Sequence, residues 1–430
     1  MRASYNNRML VVVAGLSLWC LFATNAAALE TVVLDGACHL EGLSRPLRQT
    51  IVVIDQGSIV PTKSEDIGAT NRRWLNTTLT IAGVQEGQAT FISAPRERLT
   101  VLVARQDGGD LIRVFTGCSP TYSQEEIAKM KQSSAGLKEK LDWFLGKDVQ
   151  SQIENDRKRF RSALTDALAD LPKMDRPGAN ASASANIPPF LTAFSAFAGT
   201  IDLGEGIPRL FVLSGMDSDA LRAFKDAKTA RQAGFDSADN IGGDLQRSEV
   251  YINGVANNSG RYAREFMLAF FLGMKGRVAG VSGETLPAVA EQPQMVQVFG
   301  GSIDYGSGVK VPMQIRFAAD RSGSLVNSWV EVTVKRAVAT PLSGKVVCKN
   351  KDNCEVTGDG KEFSQSWVVD PTLDQMQKFD ESLPFSGVRY FEFTTSANGL
   401  KGRAYDPLVK SINGKSELSF ELSRTPNVKF

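Results

Sequence analysis

The sequence predicts an α/β protein: an open, mostly parallel β-sheet flanked by helices, with a C-terminal all-β, sandwich-like domain. Residues 48–58 (RQTIVVIDQGS) contain a short β-branched apolar run that ends in an acid, a glycine and a serine, as a strand buried on both faces does. Similar runs alternate with helical patterns up to about residue 286. From about residue 292, short alternating segments separated by Gly, Ser, Asn and Asp predict the β-rich domain, 292–430.

The first 28 residues are predicted to be a signal peptide rather than part of the fold. Arg2 and Arg8 supply positive charge, residues 9–23 are almost wholly apolar, and residues 25–28 (NAAA) offer the small side chains that precede cleavage. A lipoprotein signal at Cys20 and an uncleaved membrane anchor remain alternatives. We expect an exported, periplasmic or secreted protein, bacterial in origin, with no membrane span in the mature chain.

The cysteines support export. Beyond the signal peptide the chain has four: Cys38, Cys118, Cys348 and Cys354. An even number in an exported chain predicts disulfides. Cys348 and Cys354 flank a short polar loop and are expected to pair, which leaves Cys38 for Cys118. Four free thiols or a zinc site are poorer interpretations, because the spacings do not fit zinc and the chain has a single histidine.

Residues 29–286 are predicted to form the α/β domain. The expected strands are Thr31–Leu34, Thr50–Asp55, Leu99–Ala104, Leu111–Thr116, Pro208–Gly215, Glu249–Val255 and Arg277–Val281. The expected helices outside the insertion described next are Ser64–Ala82, Phe190–Phe197, Ser218–Ala233 and Arg261–Lys275. A turn at residues 107–110 (DGGD) predicts an antiparallel hairpin, with Leu111–Thr116 at an edge of the sheet.

A helical insertion is predicted at about 123–172. It begins at Ser123 and Glu126, which have the spacing of a capping box. We interpret it as a helical hairpin with one face on the domain, and a partner-binding arm is the alternative. A linker follows at about 173–189, where Ala, Ser, Asn and Pro replace the apolar pattern.

The β-rich domain is predicted from seven short strands. They are Met295–Phe299, Val311–Phe317, Trp329–Val334, Lys345–Cys348, Ser366–Val369, Arg389–Thr394 and Leu418–Leu422. Alternation of this kind is typical of a sandwich or a barrel. We expect a sandwich-like domain.

Over about Thr50–Gly283, the order of strands and helices resembles the von Willebrand factor A-like (integrin I-like) fold. That family carries a metal-ion-dependent adhesion site, in which Asp-x-Ser-x-Ser after the first strand, a threonine after a middle loop and an aspartate after the fourth strand hold magnesium. Here Asp55 is kept, Ser58 is shifted by one position, and Ser214-Gly215-Met216 replaces the family's Thr-Asp-Gly. The resemblance implies Asp55, Ser58 and Asp217 as ligands of a degenerate magnesium site. Asp55 can equally be a structural acid that accepts hydrogen bonds from loop amides.

No catalytic residue is predicted. Hydrolysis by a Ser-His-Asp or Cys-His arrangement needs a histidine, and the only one is His39, beside Cys38. Phosphate-binding and dinucleotide-binding glycine motifs are absent from the sequence. The 49 Lys and Arg residues nearly cancel the 47 Asp and Glu residues, so we expect no nucleic acid partner.

The sequence therefore favours a non-enzymatic module that binds a protein partner in the envelope or outside the cell and holds no cofactor. A magnesium-dependent adhesin with displaced ligands is one alternative. A carboxylate-dependent hydrolase of envelope polymers is the other, so whether the chain is an enzyme stays open.

Overall fold

The computed structural model describes residues 31–38, 43, 46–59, 67–85, 92–105, 111–133, 149–169, 171, 187–201, 205–216, 218–255, 260–304, 310–333, 337–359, 368–369, 376–377, 390–405 and 417–425. Several predictions lie outside these residues wholly or in part. Among them are the signal peptide, His39, Asp217, the turn at 107–110, most of the linker, the middle of the helical insertion (134–148) and the first half of the strand at Ser366–Val369.

A mixed, mostly parallel sheet of seven strands forms the first part of the fold. Its strands are β1 (Val32–Leu34), β2 (Arg48–Asp55), β3 (Arg98–Ala104), β4 (Leu111–Cys118), β5 (Ile207–Leu213), β6 (Glu249–Asn253) and β7 (Arg277–Ser282). Their order across the sheet is β1-β4-β3-β2-β5-β6-β7. Strands β3, β2, β5, β6 and β7 are parallel. Strand β4 runs antiparallel to β3 and parallel to β1.

Helices cover both faces of this sheet. They are α1 (Gln56–Ile59), α2 (Ile67–Ala82), α3 (Gln124–Ser133), α4 (Val149–Ala169), a 3-10 helix (Pro189–Ala196), α5 (Phe197–Thr200), α6 (Asp219–Arg222), α7 (Ala227–Ile241) and α8 (Ala263–Gly273). Alternate residues of β2 pack into two different hydrophobic cores, one on each face of the sheet. Ile51 and Val53 pack with α7, α8 and the 3-10 helix, and Val52 and Ile54 pack with α2 and α4. All eight residues of β2 are therefore buried, which explains its continuous apolar run.

The start of the helical insertion is as predicted. The Ser123 hydroxyl accepts a hydrogen bond from the Glu126 amide at 3.1 Å, and the Ser123 amide donates to Glu126 Oε2 at 2.7 Å. This reciprocal pair satisfies two donors that a helix start leaves free. Helix α4 then packs on the sheet through one apolar face that includes Ile153, Phe160 and Leu164.

Two predictions for this domain are wrong. The strand at Leu111–Thr116 is not at an edge, because β1 pairs with it on the other side. The helix predicted at Ser218–Ala233 is two helices, since Asp226 adopts an extended conformation and caps α7 by accepting from the Thr229 amide at 2.7 Å. The sequence pattern missed this break because the polar residues on either side fit both arrangements.

The second part of the fold is a closed, eight-stranded antiparallel barrel. Its strands are β8 (Met295–Asp304), β9 (Lys310–Ala319), β10 (Ser328–Thr333), β11 (Ala337–Cys348), β12 (Cys354–Asp359), β15 (Tyr390–Thr395), β16 (Gly399–Tyr405) and β17 (Glu417–Arg424). Between β12 and β15, the short strands β13 (Val368–Val369) and β14 (Met376–Gln377) pair with each other.

The predicted sandwich is therefore wrong. Strand β17 pairs with β8, the first strand, with Leu422 opposite Gly301, and this pairing closes the sheet. One face of each strand supplies an apolar core that includes Phe299, Phe317 and Phe393. An alternating strand has the same pattern in a sandwich and in a small filled barrel, so periodicity alone does not separate them.

The barrel packs against the amino ends of the parallel strands. Its Trp329 is buried against Ala269 and Leu272 of α8. The Asn327 amide donates to Glu249 Oε1 at 2.8 Å, at the start of β6. The Asn327 side chain also donates to the carbonyl of Pro208, near the start of β5, at 3.1 Å. These contacts leave the carboxyl ends of β2, β5 and β6 at the opposite edge of the sheet.

Buried charges line the sheet beside this contact. Glu97 is fully buried and accepts from the guanidinium groups of Arg48, at 3.1 and 3.2 Å, and of Arg209, at 3.2 Å. Arg48 also lies 3.4 Å from the carbonyls of Ala290 and Glu291, in the segment that leads to the barrel. Since each buried charge has a charged partner and further hydrogen bonds, the cluster meets the condition for stable burial of ions.

Both predicted disulfides are present, Cys38–Cys118 and Cys348–Cys354. Two such bonds are consistent with an oxidising compartment. Among the described residues, we find no helix that combines the length and apolar character needed to cross a membrane.

Candidate functional site

The candidate site lies where the chain changes direction across the sheet. After β2 the chain adds β3 and β4 on one side, and after β5 it adds β6 and β7 on the other. The carboxyl ends of β2 and β5 are adjacent, since Ile54 pairs with Leu213. In open α/β sheets, a crevice outside the strand ends at such a switch point is where ligands bind.

Asp55 ends β2 at this point and is 8% exposed. Its Oδ1 accepts from the Gly57 amide at 2.9 Å, and its Oδ2 accepts from the hydroxyls of Ser58 and Ser214, both at 2.7 Å. Ser58 lies in α1, and Ser214 directly follows β5. The carboxylate therefore joins the loops that leave two neighbouring strands.

The two hydroxyl oxygens also accept hydrogen bonds. Ser58 Oγ accepts from the Gly215 amide at 2.8 Å, and Ser214 Oγ accepts from the Met216 amide at 3.0 Å. Each serine thus donates to Asp55 and accepts from the backbone after β5. The result is a closed network that fixes the shape of the loop at Gly215.

Trp74 of α2 covers one side of this network. Its indole Nε1 donates to the carbonyl of Ser58 at 3.1 Å. At Gly254, which has a φ of +102°, an added Cβ would lie 2.4 Å from the Trp74 ring. Glycine is therefore required there for both the backbone conformation and the ring packing.

Burial dominates the electrostatics of Asp55. It raises the pKa of the carboxyl above its usual 3.8, and hydrogen bonds from Ser214, Ser58 and the Gly57 amide lower it in part. The two effects oppose each other because burial disfavours the ionised form and the donors stabilise it.

The structure brings together two of the three predicted site residues, Asp55 and Ser58. Asp217 lies outside the described residues. Ser214 was not predicted to be part of the site, although it lies at the end of the strand predicted at Pro208–Gly215. Its side chain reaches Asp55 because β2 and β5 are hydrogen-bonded neighbours, and sequence spacing alone does not reveal this strand order.

Three side-chain oxygens, from Asp55, Ser58 and Ser214, thus converge at the switch point. Hard cations such as magnesium prefer oxygen ligands of this kind. Within the part of the chain that the structure describes, no three His, Cys, Asp or Glu side chains are grouped so that they could hold a metal ion.

A scan against protein-family models and a search of curated proteins both find no match for this chain. The proposed function therefore rests on the fold and on the geometry of the site.

Proposed function

We propose that the chain is an exported bacterial module that binds a protein partner in the envelope or outside the cell. It presents the carboxyl edge of an A-like sheet, near Gly215, as its binding surface. In this proposal the module is not an enzyme, and it acts in the periplasm or in the extracellular space. The two disulfides support an oxidising compartment.

The strand order supports the A-like interpretation. Strands β4-β3-β2-β5-β6-β7 form a mostly parallel sheet in which β4 is antiparallel. The resemblance implies a central parallel sheet with one antiparallel edge strand; β4 is antiparallel, but β1 pairs on its outer side, so the match is only coarse. The additional strand β1, outside β4, lies beyond the range of that resemblance.

The observation that best supports a binding role is that both carboxylate oxygens of Asp55 accept hydrogen bonds from other residues of this chain. These hydrogen bonds fix the loops after β2 and β5. A fixed, half-buried loop lowers the entropic cost of binding a partner. The barrel contacts the opposite edge of the sheet, so the two parts of the fold do not compete for this surface.

Gly215→Gln tests the surface directly. A Cβ at Gly215 would lie 3.6 Å from Ser58 Oγ, which is an ordinary contact, so the variant is expected to fold. A photo-crosslinking amino acid at position 215 should give one recurrent protein adduct in the envelope or medium. Gly215→Gln should then weaken binding of that purified protein by about tenfold, because its side chain occupies the surface.

Gly199→Gln is the matched control. Gly199 is exposed in α5, and an added Cβ meets no atom within 4 Å. This variant should bind like the wild type. The proposal fails if position 215 gives no recurrent adduct, or if both variants bind the adduct partner equally well.

A second candidate is a magnesium-dependent adhesin. It is favoured by the convergence of the Asp55, Ser58 and Ser214 oxygens at the strand ends. This function predicts measurable heat when magnesium or manganese is titrated into the protein, and loss of that heat in Asp55→Ala and Ser214→Ala. Absence of heat in the wild type would end the adhesin hypothesis and leave the metal-independent module.

A further inference from the structure

A groove of about 380 Å³ lies between strand β1 and helix α4. Within the described sheet, β1 pairs with β4 alone and is the last strand at its end. We call this space the β1 groove. Its lining includes Val33, Leu34 and Gly36 from β1 and the following turn, and Asp156, Arg159 and Phe160 from α4.

Both walls of the β1 groove are held in place. The Phe160 ring is buried and packs edge-on against Phe115, with 5.1 Å between centroids. A Cβ at Gly117 would lie 3.2 Å from that ring, so the glycine permits this approach. On the other wall, the Cys38–Cys118 disulfide ties the turn after β1 to the end of β4. The groove is therefore preformed rather than created by a partner.

The wall on the β1 side is a strand edge. An edge strand offers backbone N–H and C=O groups to another extended chain, and neighbouring strands lie about 4.8 Å apart. Val33 is 56% exposed, and it is one of two large hydrophobic side chains that are exposed among the described residues. The second is Val347, on the barrel, with 70% exposure. An added strand would cover Val33 as a cross-strand neighbour.

The wall on the α4 side carries charge above an apolar floor. Asp156 and Arg159 are both exposed and lie one helical turn apart, so they present one charge of each sign along the groove. Phe160 and Leu34 form the apolar floor beneath them. Side chains of an extended segment alternate between its two faces. Such a segment can therefore place the side chains of one face against α4 and the side chains of the other face beside Val33.

We propose that the β1 groove binds an extended segment of a partner protein, which joins the sheet as an additional strand beside β1. The segment would be apolar next to Val33 and would carry acidic and basic side chains toward Arg159 and Asp156. This inference rests on the proposed protein-binding function and names the kind of segment recognised. Strand addition between an edge strand and a helix is an established way for proteins to bind peptides.

The test uses the full chain and a displayed library of random linear peptides. Recovered peptides are synthesised, labelled and titrated against wild type, Gly36→Gln and Gly199→Gln by fluorescence anisotropy. An added Cβ at Gly36 meets no atom within 4 Å, so Gly36→Gln is expected to fold and to project its side chain over the groove. Gly36→Gln should bind about tenfold more weakly, while Gly199→Gln binds like the wild type.

Two further measurements make the test specific. Val33→Asp should also weaken peptide binding, whereas Val347→Asp, at the other exposed valine, should not. Hydrogen exchange of the amides of residues 32–34 should slow when the peptide binds, because a new strand protects them. Unchanged affinity in Gly36→Gln, protection confined to other residues, or failure to select any peptide would each overturn the proposal.

A second copy of the chain is the competing occupant. If β1 instead pairs with β1 of another molecule, the wild type should dimerise with increasing concentration and Gly36→Gln should stay monomeric. That result would overturn strand addition by a partner segment. The proposed function is judged separately, by the adduct at position 215 and by Gly215→Gln, so the two can fail independently.

Discussion

Cys38→Ala/Cys118→Ala is expected to lose about 4.5 kcal/mol of unfolding free energy, because this disulfide closes a loop with a sequence separation of 80 residues. The bond constrains the unfolded chain, and the entropy removed grows with the logarithm of loop length. It also holds β1 against β4, so its removal should loosen the edge of the sheet as well. Urea denaturation of the variant and the wild type measures the difference.

The second disulfide provides the matched comparison. Cys348→Ala/Cys354→Ala opens a loop with a separation of 6 residues, for which the same relation gives about 2 kcal/mol. The long-range bond should therefore stabilise the protein about twice as much as the local one. Equal losses, or a larger loss for the local bond, would contradict this account.

Glu97→Gln should lower the free energy of unfolding by about 3–5 kcal/mol, because it leaves two guanidinium groups buried without their anion. Glu97 is fully buried and pairs with Arg48 and Arg209, which are also buried. The control is Glu125→Gln, since Glu125 forms an exposed pair with Lys129 on helix α3. That change should cost no more than about 0.5 kcal/mol. Urea denaturation measures both.

The same carboxylate predicts how stability depends on pH. Burial alone would raise the pKa of Glu97, but Arg48 and Arg209 outweigh it and hold the pKa below the usual 4.5. The unfolded state thus binds the proton at a higher pH than the folded state does. The contribution of the Glu97 carboxylate to the free energy of unfolding is therefore present above pH 4.5. It is lost as the pH falls through the pKa of Glu97 in the folded protein. Glu97→Gln should lack this part of the acid denaturation curve, and an unchanged acid limb would contradict the ion pairing.

The central strands and the Cys348–Cys354 disulfide were predictable from local pattern, and the Cys38–Cys118 pair followed by elimination. Residues 51–54 are apolar on both faces of the strand because helices cover both faces of the sheet. The Cys348–Cys354 pair follows from a short polar loop between adjacent strands.

Features that depend on distant pairing were not predictable. The barrel differs from a sandwich by the pairing of β17 with β8, which leaves no local pattern. The same holds for Ser214, whose hydroxyl reaches Asp55 across a sequence separation of 159 residues. Glu97 gave no signal either, since a single acid before a strand does not reveal that two arginines will surround it.

Closure of the barrel by its first and last strands also has a consequence for how the protein is made. Strand β17 ends at Arg424, so the barrel cannot close until the chain has been made through this strand. The parallel sheet is complete at Ser282 and can form earlier. At that stage the amino ends of its strands still lack their contacts with Asn327 and Trp329. During that interval β8 is an open strand edge, the kind of surface that chaperones shield from aggregation. Of the two parts of the described fold, the barrel is therefore the last to become stable during synthesis.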